Sequence, residues 1–164
     1  MSNISSEKIK TLREKTGAGI MDCKNALVES SGDVELAIDW LRKKGIAKAN
    51  KKSSRVAAEG LVGLISENKL ACLIEVNSET DFVAKNLDFQ NFIEQLLKLA
   101  IKKKYVLDDF LHSNFIENIT IKDALKNLIA KIGENIVIRR LSYLELTSEK
   151  SKFGFYVHNK VNNN

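Results

Sequence analysis

Leu61-Val62-Gly63-Leu64-Ile65, then Ser66-Glu67-Asn68-Lys69, then Leu70-Ala71-Cys72-Leu73-Ile74-Glu75-Val76 is the stretch that decides the fold class. Two runs rich in valine, isoleucine and leucine flank a polar quartet, and the hydrophobic period falls from about 3.6 to about 2. That pattern predicts a β-hairpin. Downstream, residues 87–103 return to helical spacing, with Phe89, Phe92, Ile93, Leu96, Leu97 and Ala100 forming one apolar stripe. Residues 121–132 repeat it through Ala124, Leu125, Leu128 and Ile129, and Gly133 ends the run. Strand character resumes over 136–144. A hairpin, a helix pair and a returning strand predict an α+β core over residues 59–158.

Upstream the spacing predicts three short helices. The first covers residues 6–15, with Ser5 or Ser6 as N-cap and Ile9 and Leu12 inward. Thr16-Gly17-Ala18-Gly19 breaks it. The second covers 20–30, with Ile20, Cys23, Ala26 and Leu27 on one face. Ser31-Gly32-Asp33 closes it and caps a third over 34–44, with Ala37, Ile38 and Leu41 inward. Together they predict a three-helix bundle over residues 1–45, a unit of the size that usually serves as a docking module. Arg42, Lys43, Lys44, Lys48, Lys51, Lys52 and Arg55 follow with no acid between Asp39 and Glu59. This basic stretch reads as a linker or a solvated helix, and 46–58 is expected to join bundle to core. Phe153-Gly154-Phe155-Tyr156-Val157-His158 reads as the start of a further strand without a partner, before a disordered tail at 159–164. Either the chain is a fragment or another chain supplies the missing half.

Composition narrows the function. The chain has 164 residues, 44% hydrophobic and 29% charged, enough to bury a core and too short for a large multidomain machine. No run approaches the 18 or so apolar residues of a membrane span, and the first thirty residues lack a signal core, so a cytoplasmic location is expected. Cys23 and Cys72 lie far apart with no Cys-x-x-Cys, which disfavours a zinc or thiol enzyme. His112 and His158 have no paired acid or serine elbow nearby. Gly17-Ala18-Gly19 lacks the preceding strand and the Lys-Ser/Thr pair of a phosphate loop. No catalytic residue, metal site or cofactor is expected, and the chain reads as a non-enzyme. A net charge of +5 raises nucleic acid or an acidic protein as partner. Lysine outnumbers arginine 21 to 5 and no aromatic residue interleaves the basic run, so a nucleic-acid partner is disfavoured.

The most distinctive local stretch is Glu75-Val76-Asn77-Ser78-Glu79-Thr80-Asp81-Phe82-Val83-Ala84-Lys85-Asn86, where a strand ends and polar residues lead into an aromatic one. Two readings are open. Ser78 to Asp81 loosely fits a helix-capping pattern, with Phe82 stapling the helix onto the hairpin. Alternatively the corner displays an acidic and aromatic tip able to enter a partner's pocket.

Four ordered motifs carry a family resemblance: the run from Leu12 to Leu27, the run from Ser31 to Arg42, Glu75 to Ala84, and Ala130-Lys131-Ile132-Gly133-Glu134-Asn135-Ile136. Together, over residues 4–158, they resemble the elongation factor Ts family, guanine nucleotide exchange factors of elongation factor Tu. The resemblance implies that the bundle is a ubiquitin-associated-like domain docking on elongation factor Tu, with Arg13, Ile20 and Met21 at matching contact positions. It implies that Thr80, Asp81, Phe82 and Val83 intrude beside the partner's magnesium and phosphate site, promoting GDP release so that GTP binds, with no direct contact to nucleotide. Longer family members carry a second core half and a C-terminal module; here weaker partner binding or a homodimer is expected instead. The rival function is a basic RNA-binding module associated with translation.

Overall fold

The computed structural model describes residues 4–158, which fall into two compact units: 4–54 with Lys126–Gly133, and 55–125 with 134–158. The fold is α+β: three helices come first in the chain, and an antiparallel three-stranded sheet with further helices follows in sequence.

In the first unit, α1 (Ser6–Thr16) begins where the Ser5 side chain accepts from the Lys8 N–H, and it closes with Gly17 N–H on Arg13 O at 2.7 Å. The turn into α2 (Ile20–Glu29) is pinned by Thr16, whose hydroxyl donates to Leu12 O and accepts from Ala18 N–H. Asp33 then caps α3 (Val34–Lys52) by accepting from Leu36 N–H at 2.9 Å. Leu12, Cys23, Ala26, Leu27 and Ala37 are fully buried together, with Ile9, Ile38 and Leu41 partly buried around them. Ile20 is a correction. It was expected on the inward face of α2 but is 54% exposed, because it is the first helical residue and lies beyond the bundle's core.

The third helix runs past residue 44 to Lys52, so over 46–52 the basic stretch is the solvated helix, one of its two readings, and a linker is left only beyond it. Dense lysines mask apolar periodicity but do not oppose helix formation, and no proline interrupts them. The extension is fastened on both sides. Asp22 takes Lys48 Nζ at 2.8 Å and Lys44 Nζ at 3.6 Å, and Lys52 Nζ donates to Gly133 O. Gly45 also sits so close to Ala130 that an added Cβ would stand 2.9 Å from the alanine methyl.

In the second unit, β1 (Glu59–Glu67) pairs antiparallel with β2 (Leu70–Ser78), and β2 pairs antiparallel with β5 (Ile136–Glu145), giving the order β1-β2-β5. The hairpin is tighter than the polar quartet suggested. Pairing continues through Ser66↔Ala71 and Glu67↔Leu70, leaving Asn68 and Lys69 as the loop, with Asn68 at φ 52. On one sheet face Cys72, Ile74 and Val76 are fully buried. Against it lies α5 (Leu87–Ala100), whose Phe89, Phe92, Ile93, Leu96, Leu97 and Ala100 are all buried as their spacing predicts. Burial of this kind contributes roughly 1.5–3 kcal/mol for each large side chain. The helix stops at Ala100 rather than 103 because its inward stripe ends at Ile101, after which come Lys102, Lys103 and Lys104.

Between the expected helix pair lie three elements too short for periodicity to reveal: α6 (Leu107–His112), β3 (Asn114–Ile116) and β4 (Ile119–Thr120). The second member of the pair, α7 (Ile121–Ile132), follows as expected. Phe153 to His158 form no strand among the described residues, since no partner there takes their backbone groups; Phe153 and Phe155 stack on each other at 5.6 Å instead. The tail at 159–164 lies outside the described residues. No helix among the described residues is long and apolar enough to cross a membrane.

Candidate functional site

The β2 strand ends at Ser78 and the chain turns through Glu79 and Thr80 into α4 (Asp81–Ala84), a single helical turn. Ser78 is fully buried and its hydroxyl donates to Thr80 O at 2.9 Å, which fixes the bend. Beyond α4, Asn86 caps α5 by accepting from Asp88 N–H at 2.8 Å and Phe89 N–H at 3.3 Å. Gln90 donates to Ala84 O, tying α5 back to the end of α4. Both ends of the corner are thus anchored to rigid elements.

Within it the four candidate residues separate by role. Val83 and Ala84 point inward, 4% and 8% exposed. Phe82 points outward at 76% exposure, so it does not staple the helix to the hairpin, and of the two open readings the display reading describes its position. Asp81 is also exposed and pairs with Lys85 at 3.2 Å, whose ammonium lies 5.9 Å from the Phe82 ring centroid. Thr80 does not use its hydroxyl to cap α4; both its N–H and its hydroxyl donate to Glu134, at 3.0 and 2.7 Å. Of the expected intruding segment, Asp81 and Phe82 are therefore presented to solvent, Thr80 is committed internally, and Val83 is an anchor.

The supporting residues were not foreseen as a site. Glu79 accepts from Asn135 N–H and pairs with Arg55 at 3.5 Å, and the Asn135 side chain donates to Arg55 O at 2.7 Å. Residues 130–136 stood out as a motif, but their spacing gave no sign that Glu134 would hold Thr80.

The second group of candidates flanks the Thr16 to Gly19 turn of the helical unit. Arg13 lies in the last turn of α1 and is exposed; Ile20 and Met21 open α2, at 54% and 65% exposure. Two adjacent large apolar side chains in water have the makeup of a protein contact. The basic run is less available than it reads. Arg42 pairs with Asp39, Lys44 and Lys48 with Asp22, Lys52 with a carbonyl and Arg55 with Glu79.

Comparison with known proteins places these features in a family. A family model described as Elongation factor TS matches residues 79–163, beginning at Glu79 and covering just over half of the chain. Elongation factor Ts of Methylobacterium nodulans is 51% identical over 162 residues, 98% of this chain and 52% of the relative. Its counterpart in Methylorubrum extorquens strain PA1 is 51% identical over 163 residues, 99% of this chain and 53% of the relative. That of Azorhizobium caulinodans is 50% identical over 162 residues. The chain spans about half the length of the curated relatives it matches. With a family model over the corner and the returning strand, and half of all residues identical from end to end, the chain belongs to the elongation factor Ts family.

Proposed function

We propose that this chain is a translation elongation factor that binds elongation factor Tu carrying GDP and promotes GDP release. The observation that carries the reading is Phe82, 76% exposed on a corner whose neighbours Val83 and Ala84 are buried. Exposing an aromatic ring to water forgoes its burial free energy, and a rigid corner holds that ring ready for a partner's pocket.

The mechanism is coupling rather than chemistry. Exchange factor and GDP each weaken the other's binding to one protein, necessarily by the same factor. Magnesium holds nucleotide phosphates through a demanding octahedral geometry. Phe82 wedged between partner elements shifts the groups that place the ion, while Asp81 repels or hydrogen-bonds beside it. Arg13, Ile20 and Met21 dock the helical unit and supply affinity. No covalent step or proton transfer is needed, so the chain acts in the cytoplasm as a binding factor and not as an enzyme. An RNA-binding role draws less support, since most of the basic run is engaged within the chain.

The test is release of a fluorescent GDP analogue from elongation factor Tu with substoichiometric chain. Phe82→Ala should lower the maximal rate at least about tenfold and change stability by less than about 0.5 kcal/mol, because the ring is exposed. Met21→Ala should instead raise the half-saturating concentration, with little effect on the maximal rate. A Phe82→Ala chain as active as the original would refute the wedge. Binding without acceleration at any concentration would reduce the chain to a docking fragment.

A further inference from the structure

The β2–β5 ladder ends at the pair Ser78↔Ile136, yet side-chain hydrogen bonds go on linking the next two residues of each segment. Opposite Glu79 stands Asn135, whose N–H donates to the Glu79 carboxylate at 2.5 Å. Opposite Thr80 stands Glu134, whose two carboxylate oxygens take the Thr80 N–H and hydroxyl. Side-chain carboxylates thus replace carbonyls as acceptors just where β2 must bend away into α4. The three bonds run in opposite directions, one from 135 to 79 and two from 80 to 134, so neither segment can slip without breaking all of them.

We infer that Glu134 is a positioning residue for exchange: with Glu79 it extends the sheet by two side-chain pairs and so aims Phe82. The inference rests on the proposed function for its activity readout. Thr80 immediately precedes α4, and φ and ψ at Thr80 set the direction in which that single turn leaves the sheet. A turn of four residues has too few internal hydrogen bonds to hold its own orientation. Val83 and Ala84 fix one side of it and the Glu134 carboxylate fixes its entry. The carboxylate takes both donors at once, one on each oxygen; alanine at 134 takes neither, whereas glutamine would keep both contacts by accepting from the N–H and donating its NH2 to the hydroxyl oxygen.

Two measurements on the full chain test this. In amide hydrogen exchange, Glu134→Ala, which removes both acceptor oxygens, should lower protection at Thr80 by about tenfold while the β2–β5 ladder amides keep theirs. Phe82→Ala should leave Thr80 protection unchanged. In GDP release, Glu134→Ala should cut the maximal rate about tenfold and shift the half-saturating concentration by less than about twofold. Thr80→Val, which removes the hydroxyl and keeps the shape, should act in the same direction and add little on top of Glu134→Ala. Unchanged Thr80 protection in Glu134→Ala overturns the lock, whatever the activity. Full exchange activity in Glu134→Ala, with Phe82→Ala impaired, overturns the positioning role and leaves the proposed function intact. Full activity in Phe82→Ala overturns the proposed function and, with it, the aiming role. A loss confined to affinity, or a fall in protection throughout the sheet, makes Glu134 merely structural and overturns the inference.

Discussion

Gly60 passes its neighbour strand with φ at 128°, and a Cβ built there would stand 2.2 Å from Val76 O and 2.7 Å from Asn77 Cα. Neither obstacle is a side-chain end that can swing away. Gly60→Ala is expected to cost at least about 2 kcal/mol in denaturant unfolding, from strain and collision together. Gly133 makes a useful contrast: its φ is 91°, but nothing lies within 4 Å of the added methyl. Gly133→Ala should therefore cost only the left-handed penalty, about 1–2 kcal/mol. Gly133 was legible as the end of a helical run and Gly60 was not singled out by its spacing; only the tertiary approach of β2 separates a collision from a tolerable strain.

At the scale of elements, charge pairs and caps hold helices that propensity alone would leave open. Lys48 donating to Asp22 holds that carboxyl below the usual carboxylate range, with Lys44 adding to the effect; Arg140 does the same to Glu75. A carboxyl whose folded-state pKa is depressed contributes stability above its unfolded pKa and loses it as pH falls through the folded value. Thermal midpoints should thus fall on acidification below about pH 4, less steeply in Asp22→Asn and Glu75→Gln chains. Since Lys48 is nearly half exposed, Asp22→Asn should cost under about 1 kcal/mol at neutral pH. Asn86→Ala, which frees the Asp88 and Phe89 N–H groups at the start of α5, should cost about 1 kcal/mol in the same melts. The long helices were readable because α5 repeats its stripe over 14 residues. The six residues of α6 and the two short strands after it offer no full repeat to read.

Across the whole molecule, each unit carries one buried thiol, Cys23 in the helical unit and Cys72 in the sheet unit. Burial pushes the Cys72 thiol up to about 11 and raises that of Cys23. Both should resist a disulfide reagent at pH 8 until their own unit opens, so labelling in denaturant followed by mass spectrometry reports the two openings separately. Cys23 should react at the lower denaturant concentration, because its fully buried cluster holds five residues and three of them are small.

Local spacing in the chain determined much of this molecule: three leading helices, the hairpin, the long apolar helix, the returning strand and a polar corner ending in Phe82. Those features follow from periodicity, caps and turn residues that act between neighbours. Tertiary structure alone decided that Ile20 faces water, that the lysine-rich stretch continues α3, and that Val83 turns inward while Phe82 turns out. It also brought Glu134 to Thr80, partners 54 residues apart in the chain. A four-residue turn has no periodicity to declare its face, and a carboxylate does not announce its donors. Both choices are settled by which buried neighbours and unsatisfied N–H groups the completed sheet brings within reach.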